Sequence, residues 1–284
     1  GERPLSAVYD RAALLPDLFP GPRAVGAELS LPLKGGGEPL PLSCRSALRC
    51  AVENAVWPRD VELTKDEMKQ SGRYRTSDLP EAKYQPGSRG RVLLNLQGIK
   101  SKREMDRIEA EAHIRALREF LSLFSRDHRF SSADIARMHR MWLGGIYEWA
   151  GKYRQVNISK GGFTFAVAAQ IPRLMEELDK GPLRSKTPCL FTEESAVAEA
   201  LAVVHTELIL IHPFREGNGR IARMLATLMA VQAGYPPLDF GVIRGKKKEA
   251  YFAAFQAGLD RNYEPMKGIF TEVLQRTASR ALKP

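Results

Sequence analysis

The segment His212-Pro213-Phe214-Arg215-Glu216-Gly217-Asn218-Gly219-Arg220-Ile221-Ala222-Arg223 decides how this chain reads. It lies between two apolar runs, Ala200 to Ile211 and Ile221 to Val231. Each run is long enough for a buried helix, and Pro213 disfavours helical backbone in the residue before it. The pattern therefore predicts a helix, a tight polar turn and a second helix. Gly217 and Gly219 let the backbone adopt unusual angles and allow a ligand to come close. Free N–H groups and the positive dipole end of the second helix favour an anion there.

The side chains of the turn point the same way. Arg220 and Arg223 fall one turn apart on one helical face, so both guanidiniums can reach a single polyphosphate. Glu216 supplies the hard oxygen ligand that suits Mg²⁺ shared with phosphate oxygens. His212, ordinarily titrating near about 6.5, can take a proton from an attacking hydroxyl. Phe214 reads as an anchor into the core. Singly, each has an ordinary explanation: a helix-end histidine, a solvated pair of arginines, a glycine turn. Their co-occurrence within twelve residues gives the segment its weight.

Working outward, the 284 residues are 44% hydrophobic and carry a net charge of +10. The longest apolar stretch, Ala196 to Ile211, is broken by His205, Thr206 and Glu207 and is too short to span a bilayer. The beginning of the chain lacks a charged-then-apolar leader pattern, so the expected location is cytoplasmic, with export as an effector left open. Three cysteines (Cys44, Cys50, Cys189) without metal spacing favour a reducing compartment. The basic charge suits acidic partners, but it is dispersed. Its one tight cluster, Arg244 with Lys246, Lys247 and Lys248, is too short for a nucleic-acid face.

Residues 1–84 are rich in proline and glycine and read as an irregular arm, with one short helix near Arg45 to Val56. Residues 85–284 read as the functional domain. Met105, Ile108, Ala112, Leu117, Phe120, Leu121 and Phe124 form an apolar stripe at helical spacing. Ser131 or Ser132 caps a second helix that turns Ile135, Met138, Trp142 and Ile146 inward. Alternation across Tyr153 to Phe165, interrupted by Gly161-Gly162, predicts a hairpin. Further helices follow at about 168–178, 193–211, 218–234, 247–259 and 265–281, with Pro172 tolerated only in a first turn. The fold class expected is mainly α, a helical bundle with one small β-hairpin.

At every defined position the quoted segment resembles the Fic signature, His-Pro-Phe-any-Asp/Glu-Gly-Asn-Gly-Arg-any-any-Arg. Tyr147 to Arg154 resembles the Fic stretch before the flap, and Gly161 to Ala166 resembles the flap itself. Gly87 to Leu93 and Gly98 to Lys100 match the entry to the core more loosely, so the likeness covers roughly residues 85 to 280. The resemblance implies a Fic-type bundle and a protein adenylyltransferase that uses ATP and Mg²⁺. It would move AMP to a Ser, Thr or Tyr hydroxyl of a target protein. His212 would then be the base, Glu216 the metal ligand, and Gly217, Asn218 and Gly219 the anion hole. Arg220 and Arg223 would hold the β- and γ-phosphates. Ser159, Lys160 and Gly161 of the flap would pair with the target's main chain, and Tyr251 would line the adenine pocket.

Many Fic enzymes carry an inhibitory Ser/Thr-any-any-any-Glu-Gly/Asn helix whose glutamate pairs with the second signature arginine. Ser77-Asp78-Leu79-Pro80-Glu81-Ala82 is a partial match, which makes Ser77 and Glu81 the expected autoinhibitory pair. Met105 to Ala110, ending on Glu109-Ala110, matches less well. A separate antitoxin chain is the other expected form of control for a toxin-like enzyme, and an oligomer is compatible. The alternatives are transfer of UMP, phosphocholine or, as in Doc kinases, phosphate. A non-enzymatic module binding nucleic acid or protein is a further one. Doc kinases lose the Gly-Asn-Gly-Arg arrangement that this chain keeps. The histidines His205 and His212, seven apart without a third ligand at motif spacing, support a zinc hydrolase poorly.

Overall fold

The computed structural model describes residues 78–243 and 247–281. The arm up to Ser77, the short helix near residues 45–56 and the cluster residues Arg244 and Lys246 lie outside those residues. What is described is predominantly helical with one two-stranded sheet. No described helix is long and apolar enough to cross a membrane.

Helix α1 (Lys102–Leu123) starts at Ser101, whose side chain accepts from the Glu104 amide. The expected stripe is its buried face: Met105, Ala112, Leu117, Phe120 and Leu121. Helix α2 (Ser132–Leu143) is capped by Ser131, with Asp134 returning the bond in a capping box, and buries Ile135, Met138 and Trp142. Ile146, expected on this helix, is buried just beyond its end.

The hairpin comes next. Strands β1 (Ser159–Lys160) and β2 (Phe163–Thr164) pair antiparallel around Gly161 and Gly162, both at positive φ. It is shorter than the alternation suggested, although the Phe165 amide still donates to Ile158 O at 3.1 Å. A 3₁₀ turn, Ala168–Gln170, leads into α3 (Ile171–Leu178), with Pro172 in its first turn where no hydrogen bond is lost.

Helices α4 (Glu194–Ile211) and α5 (Asn218–Gln232) form the centre. α4 is apolar on nearly all sides, and every residue from Ile221 to Gln232 of α5 is buried, as expected for helices covered by others. Gly234, at φ 88°, follows α5 in the left-handed position that ends many helices. Helices α6 (Lys247–Ala257) and α7 (Glu264–Ala281) close over α4, with α7 lying most extensively along it. The turn between α4 and α5 is thereby fixed at both ends by the core.

Candidate functional site

His212 terminates α4 in the left-handed conformation, φ 51° and ψ 59°, an uncommon region for a residue with a side chain. Its Nδ1 lies 3.2 Å from Ile209 O. A carbonyl can only accept, so Nδ1 carries a hydrogen. The Phe165 ring stacks on the imidazole, with centroids 3.7 Å apart and planes at 18°.

The turn that follows is braced from within. Asn218 Oδ1 accepts from the Phe214 amide at 2.8 Å, and its Nδ2 donates to Phe214 O at 2.7 Å. The Asn218 side chain is thus a structural brace, while its main chain opens α5. Phe214 is fully buried and stacks on His139 at 3.8 Å, the anchoring expected of it. Gly217 sits at φ 84°, and a Cβ there would lie 2.8 Å from the Trp142 ring. Glycine is required on both counts. At Gly219 a Cβ would meet nothing closer than Arg223 at 3.7 Å, so the residue leaves open space at the start of α5.

Glu216 and the two arginines surround that space. Glu216 Oε1 accepts from the Gly217 amide at 2.9 Å and from Arg220 Nη2 at 3.2 Å. A carboxylate therefore already occupies donors that suit an anion. Arg220 Nη1 donates to Glu109 Oε2 at 2.6 Å, and its guanidinium carbon lies 4.7 Å from the centroid of Trp142. Glu109 is buried and also accepts from Tyr147 Oη at 2.6 Å, which with burial pushes the phenol well above its usual range. Arg223 is buried, with its guanidinium over Gly219. The two arginines, the Gly217 amide and Glu216 gather around the start of α5.

His139 is a further supporting residue. Its Nδ1 accepts from the Gly151 amide at 2.9 Å, so the proton sits on Nε2, which donates to Glu216 O at 3.0 Å. Burial, and then the charge of Arg220, hold it neutral with a pKa of about 4. His205 is lowered to about 3 by burial and by Arg223.

Two expected site residues take other partners in this structure. Glu81 lies in a 3₁₀ turn, Pro80–Ala82, too short for an inhibitory helix, and its carboxylate does not pair with Arg223. Gln155 N donates to it at 2.7 Å, and Arg154 and Arg215 supply the nearby positive charge. Arg215, the unspecified position of the signature, donates from Nε to Glu81 O at 2.9 Å. Ser77 lies outside the described residues. Tyr251 is only 8% exposed, and its hydroxyl meets His205 Nε2 at 2.7 Å, so most of the ring belongs to the core. Ser159, Lys160 and Gly161 lie in the hairpin as expected.

His139, Trp142 and Arg154 were not singled out as site residues. Trp142 was read as core. Glu109, which the sequence offered only as the weaker inhibitory match, is buried and pairs with the first signature arginine, Arg220.

A model of the Fic/DOC family matches residues 129–230. Protein adenylyltransferase VbhT of Bartonella schoenbuchensis is 35% identical over 150 residues, 51% of this chain and 30% of that protein. Probable protein adenylyltransferase y4lH of Sinorhizobium fredii is 32% identical over 145 residues, 51% of this chain and 73% of that one. Among solved structures, an N-terminal Fic domain from Bartonella quintana with bound ADP aligns with a TM-score of 0.52 and 29% identity. That alignment covers 64% of this chain and 89% of the other. The chain spans less than a third of VbhT's length.

Proposed function

The chain belongs to the Fic/DOC family, and from that premise we propose that it is a protein adenylyltransferase. It transfers AMP from Mg-ATP to a hydroxyl side chain of a target protein and releases pyrophosphate. The observation that carries this reading is the placement of His212: with Nδ1 turned to Ile209 O, it sits in the short segment that leads into the amino end of α5 and its two arginines. The adenylyltransferase names of the relatives and the ADP held by the Bartonella quintana domain support it.

In the proposed reaction His212 Nε2 takes the proton from the target hydroxyl as its oxygen attacks the α-phosphorus. The bond between that phosphorus and the oxygen bridging to the β-phosphate breaks, and the electron pair leaves with pyrophosphate. Arg220 and Arg223 hold the β- and γ-phosphates, and the amides of residues 217–219 face the developing charge with the α5 dipole behind them. The phosphates replace the Glu216 carboxylate at Gly217 N and Arg220 Nη2. Glu216 suits Mg²⁺ as a single, partly exposed carboxylate beside that space, since this ion takes one or two protein carboxylates and shares phosphate oxygens. Bound there, Mg²⁺ would neutralise phosphate charge. The hairpin residues Ser159, Lys160 and Gly161 offer the target a strand edge to pair with.

The test is incubation with protein lysate and Mg-ATP labelled at the α- or the γ-phosphate, beside His212→Ala. Transfer of α-label that vanishes in the variant supports the proposal. Transfer of γ-label alone indicates phosphate transfer instead.

A further inference from the structure

Arg154 is the largest fully buried side chain described, 1% exposed, while the other described arginines mostly reach water. Burying a guanidinium costs several kcal/mol unless its donors are used. Here they are used almost wholly on main-chain carbonyls. The Arg154 amide donates to Pro213 O at 2.8 Å, Nε to His212 O at 2.7 Å, and Nη2 reaches Ile211 O at 3.4 Å. Three successive carbonyls at the end of α4 thus accept from one residue. On its other side Nη1 donates to Val156 O and Nη2 to Ala166 O, both at 2.6 Å. Those two carbonyls flank the hairpin of residues 159–164.

We propose that Arg154 is a positioning residue that locks His212 in its left-handed geometry, with Nδ1 on Ile209 O, and ties that geometry to the base of the hairpin. The proposal rests on the reading of His212 as the base. A non-glycine residue in the left-handed region costs on the order of 1 kcal/mol or more and persists only where its surroundings over-determine it. The three carbonyl bonds provide that over-determination. They also satisfy acceptors that a helix C-terminus would otherwise leave open, with a positive charge at the end where the dipole favours one. Glu81, held on the Gln155 amide, faces Arg154 as counter-charge, and Arg215 is the like charge beside it. No bond from Arg154 reaches residues 216–223, so the phosphate cradle stands apart from the clamp.

The experiment measures the His212 ring tautomer by ¹⁵N NMR, ATP affinity by calorimetry and α-label transfer. The full chain is compared with Arg154→Met, Arg154→Lys and Glu81→Gln. Wild type is expected to show the Nδ1–H tautomer. In Arg154→Met the ring moves toward Nε2–H and transfer falls about 100-fold, the scale of a roughly 1 Å misplacement, while ATP affinity is unchanged. Arg154→Lys keeps the charge but spans fewer carbonyls, so it falls between the two. Faster hydrogen exchange at the Phe165 and Ala166 amides in the Lys variant supports the tie to the hairpin. A folded Met or Lys variant with wild-type tautomer and rate overturns the proposal, as does loss of ATP affinity in step with transfer. If the Met variant does not fold, the Lys and Glu81→Gln variants decide by the same readouts. If His212→Ala retains transfer, the base reading fails, and the tautomer and exchange data still report the clamp separately.

Discussion

Glu109 and Arg220 form an ion pair at 2.6 Å, with Glu109 buried among α1 and α2 and the arginine lying against Trp142. The partner carboxylate oxygen takes the Tyr147 hydroxyl, and Trp142 Nε1 donates to Glu109 O at 3.1 Å. A glutamate that entered only through the weaker inhibitory match in α1 thus pairs with the first signature arginine.

Removing that carboxylate strands a charge. Glu109→Ala is expected to cost about 3 kcal/mol, the lower end for a broken buried pair, because 16% of the Arg220 side chain still meets water. Glu109→Gln keeps the shape and the Tyr147 bond and should cost less. Urea unfolding checks both. Equal, near-zero losses would mean that the pair does not hold Arg220.

The two turn glycines are expected to part company on substitution. Gly217→Ala combines a left-handed backbone with a 2.8 Å approach to Trp142 and should lose about 2–4 kcal/mol. Gly219→Ala, in the first turn of α5 with room around it, should fold at least as stably, by about 0.5 kcal/mol. It should nonetheless bind ATP more weakly, because its methyl enters the space proposed for phosphate. Thermal melts and ATP titration separate the two effects.

Acid should destabilise the fold before carboxylates titrate broadly. His139 accepts a proton only near about 4 when folded, against about 6.5 when unfolded. Between those values the unfolded chain binds more protons, so stability is complete above pH 6.5 and falls as pH drops toward 4. For His139 alone the loss is on the order of 3 kcal/mol. His205, lowered to about 3, and His113, also lowered by burial, act in the same direction. Glu81, raised by burial, opposes them: its contribution is present below about 4.5 and fades as pH rises through its raised value. Urea midpoints should fall from pH 7 to pH 5, and a flat profile would contradict the neutral buried histidines.

Glu81→Gly is expected to release no brake. With its carboxylate on Gln155 N, the variant should lose about 1–3 kcal/mol of stability with no gain in α-label transfer or ATP affinity. A gain in either would return Glu81 to an inhibitory role.

The helices were legible because their apolar spacing holds for many turns, from Met105 in α1 to the end of α7, and because Pro213 and Gly234 punctuate them. The signature turn was legible because its chemistry is contiguous. What holds the turn was hidden by distance along the chain. Glu109 meets Arg220 across 111 residues, Glu81 meets Arg215 across 134, and Arg154 reaches His212 across 58. No period or spacing reports such pairs. Tyr251 and Glu81 show the converse: residue type suggested a ligand-facing role, and burial against His205 and Gln155 gave each a different partner.

The central claim is that His212 drives attack on the α-phosphorus of ATP. Its most direct measurement is the mass added to a protein modified in lysate with Mg-ATP, by wild type and by His212→Ala at equal, folded concentration. An AMP adduct on a hydroxyl side chain is expected with wild type and none with the variant. A phosphate adduct, or an AMP adduct of undiminished yield from His212→Ala, would contradict it.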